Sequence, residues 1–178
     1  MPDDTTLTAA ALPPDAIEID VQVEAALWSE LPDAESIAVG AALAALAAVS
    51  EEVPSPAEMS ITLTDDAHIQ VLNREWREID KATNVLSFPA PELPEDLDEA
   101  AQPLGDVIVA YETLKREAEL EQKPIAHHLT HLVVHGTLHL LGYDHLEDDE
   151  AEEMEGLERQ ILAGLGIDDP YRLPQDGG

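Results

Sequence analysis

The sequence predicts an α+β domain in which four short strands pack with about five helices. Three observations support this class: four short runs with strand character, five longer stretches with helical spacing or capping residues, and a histidine pattern, interrupted by glycine, that requires a helix followed by a turn. A length of 178 residues suits one domain with its own core. We expect a flexible acidic tail at residues 1–16, a single domain at 17–168 and a C-terminal tail at 169–178.

The four predicted strands are short and are bounded by turn residues. Apolar and polar side chains alternate over Ile17–Val23 and again over residues 59–64, which is typical of half-buried strands. A third strand over residues 84–88 is halted by Pro89. Residues 105–110 carry a β-branched run that is typical of a buried strand.

The five helices are predicted from capping residues and apolar spacing. Asp65 or Asp66 can cap a helix that runs to about Arg77. Residues 90–103 are rich in proline and acidic side chains and predict an exposed loop. The other helices are expected near residues 33–51, 111–121, 124–141 and 148–165.

His135, His139 and His145 stand in the pattern H-x-x-x-H-x-x-G-x-x-H. Residues four apart share a helix face, so His135 and His139 can both reach one ion at about 2.0–2.1 Å. His145 can join them only if the helix ends, and Gly142 stands where a left-handed cap would end it. The spacing therefore predicts three histidine ligands and an open fourth position, as in catalytic zinc sites.

Ordinary helix histidines, hydrogen-bonded or facing water, are the alternative interpretation, and the full pattern argues against it. His131 continues the interval of four, and we expect it to support the site rather than to bind the ion. Asp106 and Asp144 could orient ligand histidines, or could simply start a strand and hold the turn. The sequence contains no cysteine, which excludes disulfides and thiolate ligands.

Gly136 stands where zinc peptidases of similar spacing carry a glutamate base. Glycine cannot transfer a proton to the poor leaving group of a peptide bond, so the residue argues against a peptidase. Glycine also costs a helix about 1 kcal/mol relative to alanine. We therefore expect close packing beneath the site at this position.

The chain is strongly acidic, with 39 Asp and Glu against 8 Lys and Arg and a net charge of −31. Such a field repels nucleic acid in general, although six basic residues between positions 74 and 123 could converge into a local patch. The first residues lack the features of a secretory signal, and the longest apolar stretch, at 37–49, is too short to span a bilayer. A cytoplasmic protein without disulfides is the expectation.

The segment HLVVHGTLHLLGYDH, with WREIDKATNVLSFP and LGDVIVA before it, resembles the YbeY family of single-strand-specific, metal-dependent endoribonucleases. The resemblance covers residues 58–168, and departs from the usual Pro-Thr of the family at Ala82 and Thr83. It implies a small mixed sheet, a zinc helix and turn like that of metzincin peptidases, and one zinc ion per chain. The implied ligands are His135, His139 and His145, and the implied catalytic arginine matches Arg77.

The resemblance also implies a role in ribosomal RNA processing, including 16S rRNA 3′ end maturation and ribosome quality control. Small-subunit ribosomal proteins and a ribosome-associated GTPase are the implied partners. The residue types permit this chemistry by themselves, because zinc polarises phosphate oxygens and arginine grips a phosphate with two donors. Two alternatives stay open: a metzincin-like zinc peptidase or other zinc hydrolase, and a non-catalytic ribosome-assembly factor with a structural zinc.

Overall fold

The computed structural model describes residues 17–54, 56–90, 102–143 and 147–167. Within these residues the strands are β1 (Ile17–Val23), β2 (Ala57–Thr64), β3 (Val85–Pro89) and β4 (Gln102–Ala110). The α-helices of the same ranges are α1 (Ala34–Ala48), α2 (Asp66–Arg77), α3 (Tyr111–Leu120), α4 (Ile125–Leu140) and α5 (Asp148–Gly164), with short 3-10 helices at Ala26–Glu30 and Ser50–Glu52. The predicted α+β class, with four strands and five helices, is confirmed.

The strands form one mixed sheet in the order β1-β2-β4-β3. β1 and β4 both pair with β2 in parallel, whereas β3 pairs with β4 in antiparallel fashion. Parallel neighbours require a crossover connection, and α1 supplies one between β1 and β2. The small mixed sheet that the family resemblance implied is therefore present.

The sheet has a larger core on one face and a smaller one on the other. Along β4, Val107 and Val109 belong to the larger core, which α1, α4 and α5 cover, while Ile108 and Ala110 belong to a smaller cluster with Ile69 of α2. This alternation is the period of two of a β-strand, with both faces apolar because both are covered. The prediction of a buried strand ending at residue 110 is confirmed.

Element boundaries differ from the predictions where strand pairing extends an element. β2 begins at Ala57 and β4 at Gln102, because these residues pair with each other and Ala57 also pairs with Ile17 of β1. The loop predicted over residues 90–103 was therefore wrong at its C-terminal end, where residues 102 and 103 already belong to β4. Its residues 91–101, together with the predicted tails at 1–16 and 169–178, lie outside the described residues. Within the described ranges, no helix combines the length and the apolar character that crossing a membrane requires.

Candidate active site

His135 and His139 lie on one face of α4, one turn apart. Their Nε2 atoms are 3.1 Å apart, and their rings meet nearly edge to face with centroids 4.6 Å apart. Two nitrogens bound to one tetrahedral zinc ion at about 2.0–2.1 Å would be separated by about 3.3 Å. The donor set and its spacing therefore fit two ligands of a single ion.

The two histidines open into a cavity of about 600 Å³, which Arg77, Ser87 and Tyr143 also line. The lining residues come from α4 and the turn after it, from β3 and the residue before it, and from the end of α2. Such a cleft can admit an extended substrate as well as an ion.

The end of α4 has the geometry that the glycine predicted. Gly142 has φ +100°, its N–H donates to the His139 carbonyl at 3.0 Å, and the Tyr143 N–H donates to the Leu138 carbonyl at 3.1 Å. These two bonds form the glycine-terminated cap that turns a chain away from its helix. The predicted glycine stop is confirmed. Asp144 and His145 lie outside the described residues, so the third ligand stays a prediction.

Gly136 lets α4 lie directly on the sheet beneath the histidines. A Cβ atom at this position would be 2.8 Å from Val107 Cγ1 and 3.1 Å from Ser87 Oγ. The Ser87 hydroxyl also donates to the Gly136 carbonyl at 3.3 Å. The expected close packing under the site is therefore present, and Ser87 contributes to it.

We expect Gly136→Ala to lower the free energy of unfolding by about 1–2 kcal/mol, because overpacking against the branched Val107 outweighs the gain in helix propensity. Gly40→Ala in α1 is the matched control, since a Cβ there meets nothing within 4 Å. That control should gain about 1 kcal/mol. Urea unfolding measures both variants, and equal stabilities for the two would contradict the packing argument.

A buried carboxylate lies behind the histidines. Glu158 of α5 has a fully buried side chain, and its two oxygens contact His131 Nε2 at 2.9 Å and His135 Nδ1 at 2.8 Å. The ligand atoms of His131, His135 and Glu158 lie within 4.8 Å of one another, so this group could hold a metal ion. The two distances are those of charge-assisted hydrogen bonds, however, and are shorter than about 3.3 Å expected between two ligands of a tetrahedral ion.

Sequence reasoning missed Glu158, although a signal for it exists. It shares the buried stripe of α5 with Met154, Ile161 and Leu162, and a charged residue among apolar positions at helical spacing is unusual. His131 was expected to support the site, and the structure places it on the same carboxylate as His135. Its functional role stays a prediction.

Arg77 ends α2 and lines the same cavity as the two histidines. Its Nη2 donates to the Ser87 carbonyl at 2.7 Å, and its guanidinium carbon lies 5.4 Å from the centroid of the Phe88 ring. The helix stops immediately afterwards, where Glu78 takes a left-handed φ of +61°. The structure thus brings the predicted catalytic arginine to the histidines, and its role stays a prediction.

Comparison with known proteins identifies the family. Residues 28–166 match the family model described as Endoribonuclease YbeY.

The chain belongs to the YbeY family of endoribonucleases.

Three relatives carry the same name. The Azorhizobium caulinodans protein is 70% identical over 161 residues, covering 90% of this chain and 100% of the relative. A Bradyrhizobium sp. protein is 56% identical, covering 85% of this chain and 90% of the relative. A Rhizobium meliloti protein is 52% identical, covering 88% of this chain and 95% of the relative. A Thermotoga maritima protein of known solution structure is similar with a TM-score of 0.49 and 22% identity, covering 87% of this chain and 99% of that one.

In this YbeY-family chain Asp106 is not brought to the histidines. It is exposed on β4, where its carboxylate accepts a hydrogen bond from the Ser60 hydroxyl, and it lines a separate acidic groove with Glu18, Asp20 and Glu58. Neighbouring residues of a strand face opposite sides of the sheet, and Val107 is the one that faces α4. The hypothesis that Asp106 orients a ligand histidine therefore finds no contact to support it among the described residues.

Asn84 fixes the start of β3 beside the cavity. Its side-chain amide donates to Glu117 Oε1 at 2.9 Å, and the same oxygen contacts His128 Nε2 at 2.8 Å. Burial acts to raise the pKa of Glu117, but the hydrogen bonds from His128 and Asn84 outweigh it and lower the pKa overall. The Glu117 carboxylate of α3 is thus bonded both to Asn84, which precedes β3, and to His128 of α4, and it joins the three elements.

Tyr143 closes the turn after α4, where its hydroxyl donates to Glu52 Oε2 at 2.6 Å. Burial, followed by the bond to Glu52, raises the pKa of Tyr143 from its usual 10.0 to about 12. The phenol is therefore protonated at neutral pH and acts as a donor, not as a base for the reaction.

This pKa predicts an alkaline transition in the turn. A raised folded-state pKa means that the stabilisation is complete below about pH 10 and is lost as the pH rises through about 12. Absorbance titration near 295 nm should therefore lose one step near pH 12 in Tyr143→Phe. Tyr111 also has a pKa of about 12, so the matched variant Tyr111→Phe should lose an equivalent step. A Tyr143 step near pH 10 would contradict the assignment.

Proposed function

We propose that the chain is a zinc-dependent endoribonuclease that cuts single-stranded RNA in ribosomal RNA processing, including 16S rRNA 3′ end maturation and ribosome quality control in the cytoplasm. One observation supports it above the others: the His135 and His139 Nε2 atoms, 3.1 Å apart, face the cavity that Arg77 lines. Membership of an endoribonuclease family supports RNA as the substrate.

In this proposal His135, His139 and His145 hold one zinc ion per chain. Zinc with three imidazole ligands and an open position supplies a Lewis acid that polarises phosphate oxygens and activates water. His135 can bind through Nε2 while its Nδ1–H donates to Glu158, which leaves Glu158 outside the ligand set. Gly142 ends the helix before His145. In this proposal the chain then brings His145 to the ion, as the zinc helix and turn of metzincin peptidases do.

Arg77 binds the phosphate beside the ion in this proposal. A guanidinium has five N–H donors, so the bond to the Ser87 carbonyl orients it and leaves donors for phosphate oxygens. The Phe88 ring beneath it restricts the side chain further. A cation held in this way stabilises the negative charge that develops on a phosphodiester during cleavage.

An exposed aromatic side chain next to Arg77 favours single strands. Trp76 is 69% exposed, and its ring lies 6.2 Å from that of Phe88. Unpaired bases stack on such rings with about 1–3 kcal/mol each, whereas paired bases are already stacked within a duplex. The bases flanking the cleaved phosphate can therefore be held beside the cavity.

The acidity of the chain bears on substrate delivery. Four of the six basic residues considered above form ion pairs, namely Arg74 with Asp80, Lys115 with Glu30, Arg116 with Asp66 and Lys123 with Glu121. These pairs leave little basic surface to offset the net charge of −31. Delivery of RNA by small-subunit ribosomal proteins and a ribosome-associated GTPase fits this surface, and ribosomal particles should be cut faster than free RNA.

The decisive experiment combines metal analysis with RNA product analysis. Purified protein should carry about one zinc ion per chain and cut single-stranded but not duplex RNA. A 2′,3′-cyclic phosphate at the new end would assign the attack to the neighbouring 2′-hydroxyl, and a 5′-phosphate would assign it to water. Zinc-loaded protein that cuts no RNA, or that cleaves a peptide library, would refute the proposal.

A further inference from the structure

Glu158 is placed where packing alone would favour an apolar side chain. It lies on the buried stripe of α5, and its carboxylate is 0% exposed. Carboxylates are rarely buried to this extent unless partners hold them. Met154 and Leu162, one turn away on either side, already provide the apolar contacts of α5 with the core.

The partners of the carboxylate are two histidines of α4, one turn apart. Oε1 contacts His131 Nε2 and Oε2 contacts His135 Nδ1, so each oxygen is used by a different ring. When the carboxylate is ionised it only accepts hydrogen bonds, and the contact with Oε2 then requires the His135 proton to be on Nδ1. In a neutral imidazole with its proton on Nδ1, the lone pair is on Nε2, the atom that faces His139.

We infer that Glu158 is a positioning residue, which holds His135 in the tautomer and ring orientation that binds the metal ion, while His131 holds the carboxylate in place. This rests on the proposed function, because it requires His135 to be a ligand through Nε2. A carboxylate behind a ligand histidine raises the basicity of that ligand and fixes its direction. Glu158 also joins α5, the helix that follows His145 in the sequence, to the helix that carries the first two proposed ligands.

The test uses zinc affinity, measured by competition with a chromophoric chelator, in variants that break one or both hydrogen bonds. Glu158→Leu removes both acceptors without leaving a buried charge, and should weaken zinc binding by about 10–100-fold. Glu158→Gln keeps one acceptor for His135 and should restore most of the affinity. His131→Gln replaces the imidazole with an amide N–H that can still donate to Glu158, and leaves the bond from His135 to Glu158 intact. This variant should bind zinc nearly as tightly as the unmodified protein.

Circular dichroism and thermal unfolding of the metal-free variants establish that each of them folds. Equal zinc affinity in Glu158→Leu and the unmodified protein would overturn the inference while leaving the proposed function standing. An equal loss in His131→Gln and Glu158→Leu would also overturn it, because it would make His131 and Glu158 direct ligands. Failure of the unmodified protein to bind zinc would instead refute the proposed function.

Discussion

Replacing His139 with alanine is expected to abolish zinc binding and to lower RNA cleavage by about a thousandfold or more, since the ion supplies several kcal/mol of transition-state stabilisation. His139 Nε2 lies 3.1 Å from His135 Nε2, so the substitution removes one of the ligands proposed for the ion. The half-buried ring at the cavity edge contributes little to the core, and the variant should stay folded. Zinc content measures metal binding, circular dichroism measures folding, and a single-stranded RNA substrate measures cleavage.

His127→Ala is the matched control for this experiment. His127 lies on the same helix, two turns before His135, and is half-buried like His139. It should retain both zinc and cleavage. Cleavage by His139→Ala at the rate of the unmodified protein would remove the metal site from the mechanism.

Arg77→Ala is expected to lower cleavage by about 10²–10³-fold, the cost of losing one preorganised donor to a developing charge. Zinc binding should be unchanged, which separates this variant from His139→Ala. Arg77→Lys should recover only part of the rate, because an ammonium group cannot bind the Ser87 carbonyl and grip a phosphate with a planar fork at the same time. Single-turnover cleavage rates at saturating zinc measure the effect.

The control for charge is Arg74→Ala, on the same helix and one turn earlier. Arg74 is half-exposed and pairs with Asp80 at 3.8 Å, away from the residues that line the cavity. It should cleave at nearly the rate of the unmodified protein. An equal loss in both variants would mean that Arg77 acts only through the general charge of the surface.

Local patterns predicted the elements and the end of the metal-binding helix. Asp65 caps α2 by accepting a hydrogen bond from the His68 N–H at 2.9 Å, as the capping prediction required. Gly142 takes a positive φ because only a residue without a Cβ adopts that conformation at no cost. Both features depend on residues within a few positions of each other, and for that reason they can be predicted from sequence.

Contacts between distant segments could not be predicted in this way. The hydrogen bonds of Glu158 join residues 23 and 27 positions apart, and the bond of Arg77 to the Ser87 carbonyl depends on how α2 is laid against β3. Whether Asp106 could orient a ligand histidine depended on which face of β4 it would occupy. Val107 packs under Gly136 of α4, so its neighbour Asp106 faces away from that helix. A one-residue change in strand register reverses such a choice.

The sequence by itself determined the α+β class, the histidine pair on one helix face, the glycine that ends that helix and the family to which the chain belongs. The first three follow from spacing along the chain, which helix and turn geometry convert directly into position. The family follows from the resemblance of three sequence motifs to those of its members. Only the tertiary structure decided that Arg77 shares a cavity with the histidines, that Asp106 does not, and that a buried carboxylate stands behind His135. These three spatial relations depend on how the helices pack against the sheet. That packing involves side chains from the whole core, so no short stretch of sequence specifies it.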